Sequence, residues 1–261
     1  MQGKRLTFWE ASSLIMGGGV GAGILAVPYF ASLSGFPVFV VVLALAYAAS
    51  CLLHLMLAEV MFRTGRELQL VELMRRYVFR GKAGAWLVWP VFGLLVVAFV
   101  ANLSAYISGE GEIVSKLTGL PPRAAELVIY AFSAGVVRFG LKVVGVFEKL
   151  GALAMFALVL ALAAGAFTVP FRLSLAPRGD WRGTLALYGM VMYGYYAFFT
   201  VPQVVKGLSP DRRGAVRSIV TGLAMNGVLM TIVVVVSLGI SREVTKLAVI
   251  GITDALGGWA D

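Results

Sequence analysis

Between Gly17 and Gly23 the chain places five glycines in seven residues, Gly17-Gly18-Gly19-Val20-Gly21-Ala22-Gly23, and continues as Ile24-Leu25-Ala26-Val27-Pro28. The chemistry such a stretch can do is main-chain chemistry. Glycine weakens a helix by about 1 kcal/mol relative to alanine, and Pro28 removes one further backbone donor. The helical ladder is therefore expected to open inside the apolar run from Leu14 to Phe30. Opened backbone is very costly in lipid and survives only where protein covers it or where it lines a cavity. A half-helix that starts at such a break offers its N-terminus to an anionic group, while carbonyls freed at the break receive a cation. The same residues also suit an uninterrupted helix packed closely on a neighbour through small-residue contacts.

A second stretch has related features: Tyr193-Gly194-Tyr195-Tyr196-Ala197-Phe198-Phe199-Thr200-Val201-Pro202 again ends in Val-Pro after an expected interruption. Its aromatic residues could wall a pocket for an apolar or aromatic group, or they could be packing alone. His54 and Glu59 are ionisable residues within an apolar run, where such groups are functional by default. Histidine titrates near physiological pH, so a proton relay is one reading. The other is structural, since Glu59 precedes Arg63 by the four residues of a helical ion pair. Asn226 reads as a polar contact between helices. Glu110 and Glu112 fall at the outer mouth as solvated charges, and Cys51, the one cysteine, excludes an intrachain disulfide.

These residues have to be held by membrane helices. The chain has 261 residues, 60% hydrophobic and 13% charged, with a mean hydropathy of +0.91. Its apolar runs last about 20 residues rather than alternating over about 10, which indicates an all-α membrane protein. Seven spans are expected, at roughly 8–33, 37–62, 85–108, 124–139, 143–169, 185–205 and 219–238, the first and sixth broken. Of the 22 basic residues, 15 fall in the gaps that are inner if the N-terminus is cytoplasmic, so that orientation is expected. The basic gap from Thr64 to Gly84 suits a surface helix using Leu68, Val71, Leu73 and Met74. The tail from Ser241 reads as a short helix lying at the outer face. The formal charge of +9 is thereby a topology signal, and no nucleic-acid partner is expected.

The two Val-Pro stretches are separated by five spans. An odd number of spans per unit turns the second copy upside down, so residues 1–182 form a first five-helix repeat and 183–261 a partial second one. The two breaks are then expected to meet near the bilayer midplane.

Gly18 to Tyr29 resembles the GxIGAGILALPYA signature of the amino acid/auxin permease family, a branch of the amino acid–polyamine–organocation superfamily with the LeuT-type fold. Glu59, the segment from Ala105 to Gly111 and the segment from Gly189 to Pro202 agree with that family at moderate strength. The resemblance implies secondary active transport of amino acids, neutral or aromatic, driven by a proton or sodium gradient at the plasma membrane, with no other cofactor. Such transporters have ten core spans, so the resemblance also implies an incomplete LeuT-type inverted-repeat bundle: a truncated, inactive portion, or a chain whose missing spans come from a second polypeptide.

A zwitterion in a low-dielectric site needs both its charges satisfied. The amides of Gly21, Ala22 and Gly23 are placed for its carboxylate, and carbonyls near Met16, Gly17, Tyr193 and Gly194 for its ammonium. Tyr106 matches the family's third-span tyrosine, with an interfacial aromatic as the plainer alternative. Tyr195, Tyr196 and Phe198 complete the expected wall, with His54 and Glu59 as coupling candidates. The competing function is a seven-span receptor or sensor; it is weakened by an outer C-terminus and by a seventh span without lysine. An enzyme is not expected, because the aspartates Asp180, Asp211, Asp254 and Asp261 lie outside the spans, and no metal site is visible.

Overall fold

The computed structural model describes residues 6–64, 70–139, 141–177, 179–241 and 244–256. The elements there are helices: α1 (Phe8–Gly19), α2 (Ala22–Ser34), α3 (Phe36–Thr64), α4 (Leu70–Tyr77), α5 (Gly81–Thr118), α6 (Pro122–Arg138), α7 (Leu141–Gly165), α8 (Trp181–Gly194), α9 (Val201–Gly207), α10 (Arg212–Ile240) and α11 (Ala248–Leu256). Local chemistry sets several ends. At the start of α1 the Thr7 hydroxyl accepts the Glu10 N–H while the Glu10 carboxylate accepts the Thr7 N–H at 2.8 Å, a reciprocal cap that satisfies two orphan donors. Asp180 and Asp211 cap α8 and α10 by accepting the N–H of Gly183 and Gly214.

The core is built around α10. Its inward face carries Ala215, Ser218, Ile219, Gly222, Leu223, Asn226, Met230, Val233 and Val234, all buried, and packs on α1, α2, α3 and α9. Gly222 lets α1 approach: a Cβ there would stand 2.6 Å from the Ser12 carbonyl oxygen and the Ile15 side chain. The α2 helix in turn packs on α8. By contrast α5 pairs with α6 and leaves Trp86, Trp89, Leu94 and Val97 largely exposed, the surface a lipid-facing helix presents.

Four helices are long and apolar enough to cross a membrane, or five if the α1–α2 pair, bent by 59°, is one span. Among the described residues these stand against the seven expected: α6 has only 17 residues, and the apolar helical stretch described at the end of the 25-residue α7 and the turn after it is residues 156–168. The third span is longer than expected: α5 runs on to Thr118, so Glu110 and Glu112, both exposed, lie within the helix. The surface helix appears as α4, which buries Leu73 and exposes Glu72, Arg75 and Arg76; Leu68 lies outside the described residues. The tail holds a short helix, α11, as expected. It buries Ala248 and Ile252 against α10, α2 and α7, because its apolar side finds an apolar crevice lined by Leu25, Val159, Leu162 and Val236.

Candidate functional site

Both expected interruptions are present. In the first, Val20 caps α1 by donating its N–H to the Met16 carbonyl at 3.0 Å, Gly21 is extended (φ 175, ψ −160), and α2 begins at Ala22. Two residues outside the helices suffice to turn the axis. In the second, α8 ends at Gly194; the Tyr195 N–H is shared by the carbonyls of Val191 and Met192, and Tyr196 donates to the Tyr193 carbonyl at 3.1 Å. A single 3₁₀ turn, Phe198–Thr200, leads into α9. Pro202 falls in the first turn of α9, where its missing N–H has no helical partner to lose.

The two breaks touch. A Cβ on Gly19 would stand 2.7 Å from the Gly194 carbonyl oxygen and would collide with the Asn226 carboxamide. One on Gly23 would stand 3.1 Å from the Gly194 nitrogen and 2.6 Å from the Tyr193 ring, one on Gly18 2.8 Å from the Thr200 methyl, and one on Gly21 would strike the Tyr106 hydroxyl. These glycines therefore serve close approach as well as interruption. Beside Gly17 there is open space. The side chain of Ala22 lies outside the described residues.

Two carbonyls expected to be free are not. Met16 accepts from Val20 and Tyr193 accepts from Tyr196, because Val20, one residue past α1, and Tyr196, two past α8, each close a last turn. The Gly194 carbonyl has no hydrogen bond among the described residues and lies against Gly19. Next to it Asn226 is fully buried with neither its Oδ1 nor its Nδ2 hydrogen-bonded among the described residues. Leaving a buried amide unsatisfied costs about 1–3 kcal/mol, which is unusual inside a packed core.

His54 is buried at the second break, its ring edge-on to Phe198 with centroids 5.6 Å apart. Its Nδ1 lies 2.7 Å from the Ser50 carbonyl. A carbonyl only accepts, so Nδ1 carries a proton and Nε2, which has no partner among the described residues, is the open position. Glu59 is apart from this: its half-exposed carboxylate pairs with Arg63 at 2.6 Å.

The aromatic residues divide. Tyr195 turns into the core, its ring 6.0 Å from that of Tyr47 and its hydroxyl beside Gly227. Tyr193 stacks on Tyr196 at 6.4 Å, Tyr196 meets Phe199 at 5.7 Å, and Phe199 meets Phe99 of α5 at 5.2 Å. The Tyr193 hydroxyl donates to the Asn102 carboxamide oxygen. Asn102, Phe99 and Thr200 are contributors that the sequence reading missed. For Phe99 and Asn102 the only signal was spacing, since residues 99, 102 and 106 share one face of a helix and Tyr106 was already a candidate, while Thr200 lies in the stretch from Tyr193 to Pro202. The crevice under α11 has no polar lining and offers nothing to a charged ligand.

A family model described as the tryptophan/tyrosine permease family matches residues 4–255. No curated protein and no solved structure matches the chain.

Proposed function

Because the chain belongs to the tryptophan/tyrosine permease family, we propose that it is a secondary active transporter that moves an aromatic amino acid across the plasma membrane by alternating access. The observation that carries this reading is the meeting of two interrupted helices, Gly19 and Gly23 against Gly194, with the Asn226 carboxamide, which has no hydrogen bond among the described residues, beside Gly19. Interrupted membrane helices that meet in this way are where transporters bind small polar substrates. The N-terminus of α2 takes the substrate carboxylate, and the Gly194 carbonyl with Asn226 takes the ammonium. The wall of Tyr193, Tyr196 and Phe199 takes the ring. The two breaks belong to inverted repeats of a LeuT-type bundle, residues 1–182 and 183–261, and the excess of basic residues in one set of gaps puts the N-terminus in the cytoplasm.

Transport is coupled to an ion gradient, and His54 is the coupling residue this reading favours over Glu59, since its open Nε2 lies at the break. The test is uptake into proteoliposomes holding the purified protein. Tryptophan or tyrosine accumulates under an inward proton gradient, and Gly21→Leu, which drives a side chain into the Tyr106 hydroxyl, abolishes accumulation. Failure to accumulate either substrate under a proton or a sodium gradient overturns the proposal.

A further inference from the structure

The α5 face that meets the breaks carries three side chains with distinct contacts. Phe99 packs on Phe199, Asn102 accepts the Tyr193 hydroxyl, and Tyr106 reaches Gly21. The middle contact is unusual in its chemistry. A phenol ring lies among aromatic neighbours, stacked on Tyr196, and its one polar hydrogen is received by a carboxamide on the facing helix. A flat apolar ring with one O–H or N–H at its rim is also what the side chain of tyrosine or tryptophan presents. Asn102 is part-buried, and Tyr196 and Phe99 are 41% and 48% exposed, so the described residues leave this wall partly uncovered.

We infer that Asn102 determines specificity: its carboxamide oxygen accepts the ring O–H or N–H of the transported amino acid, and the Tyr193 phenol holds that place while the site is empty. This rests on the aromatic-substrate reading given above. The exchange balances, because substrate binding breaks the Tyr193–Asn102 bond, forms one from the substrate's ring O–H or N–H to the same carboxamide oxygen, and returns the Tyr193 hydroxyl to water. A substrate without a ring donor, phenylalanine, breaks the first and forms none, leaving the carboxamide unpaired, and a site built to hydrogen-bond discriminates most strongly against such an analogue.

The experiment measures competition by unlabelled tyrosine, tryptophan and phenylalanine for binding to the full-length protein in detergent and in proteoliposomes. The wild type prefers tyrosine and tryptophan over phenylalanine. Asn102→Leu collapses that preference by about tenfold, the worth of one neutral hydrogen bond, while phenylalanine binding does not weaken. Tyr193→Phe does the opposite: it frees Asn102 beforehand, tightens all three ligands, and keeps the preference. If Asn102 and Tyr193 are only a structural tie, both variants weaken all ligands alike with the preference intact, and that result overturns the inference. Retention of the preference in Asn102→Leu alone overturns it as well. Should Asn102→Leu fail to fold, Asn102→Ala supplies the same comparison. A wild type that binds none of the three amino acids sinks the aromatic-substrate reading itself, whereas wild-type binding with no preference sinks only the role of Asn102.

Discussion

Two substitutions of the same chemistry, two residues apart, should have opposite effects. In Gly19→Ala the new methyl would stand 2.7 Å from the Gly194 carbonyl oxygen and would also meet the Asn226 carboxamide. Ordinary carbon–oxygen contacts lie at about 3.3–3.6 Å, so the two breaks have to separate by roughly 0.6 Å or more. The oxygen belongs to backbone and cannot rotate away. Overpacking of this kind costs about 1–3 kcal/mol, and the modest helix gain at the last residue of α1 does not offset it. In Gly17→Ala the methyl meets nothing within 4 Å, and replacing a helical glycine contributes up to about 1 kcal/mol. A difference of about 2 kcal/mol or more between the variants translates into several degrees, at about 2–4 °C per kcal/mol for a chain of this size. Thermal unfolding in detergent, followed by intrinsic fluorescence, reads it directly. Gly19→Ala should melt below the wild type and Gly17→Ala at or above it. A Gly19→Ala protein as stable as the Gly17→Ala protein would refute the argument that the breaks are in contact.

The buried carboxamide gives a second prediction, in which stability and function part company. Asn226→Leu removes two polar atoms that have no hydrogen bond among the described residues at similar volume, so thermal stability rises, by up to about 1–3 kcal/mol, while substrate binding measured by equilibrium dialysis is lost; unchanged binding would remove Asn226 from the site. For Glu59→Gln, breaking an exposed ion pair with Arg63 costs at most about 0.5 kcal/mol, and proton-driven uptake persists. Loss of gradient dependence in that variant would move the coupling role from His54 to Glu59.

How much of this was readable beforehand depends on where lipid hides the signal. The first break was legible because five glycines in seven residues are a departure from any helix composition, and the second because an aromatic run ending in Val-Pro repeated its ending. Both signals are local and independent of surroundings. What the sequence could not give was the inward face of each helix. In water a buried face announces itself by an apolar stripe on a polar helix, but a span that is apolar all round has no such stripe. So nothing marked Tyr195 as turned inward and Tyr196 as exposed, although they are adjacent, and nothing marked Asn102 as facing Tyr193 across 91 residues. The same loss of contrast explains α11: its apolar residues read as an interfacial helix because, without knowing that Leu25, Val159 and Val236 leave a crevice there, a half-apolar segment has no other place to go. Polar residues escape this ambiguity, since in lipid they must turn toward protein. For a chain of this kind polar side chains within spans therefore carry more information about the interior than the many apolar ones: Asn102, Asn226 and His54 are each found at a break or in contact with one, while Glu59, near a helix end, pairs with Arg63 instead.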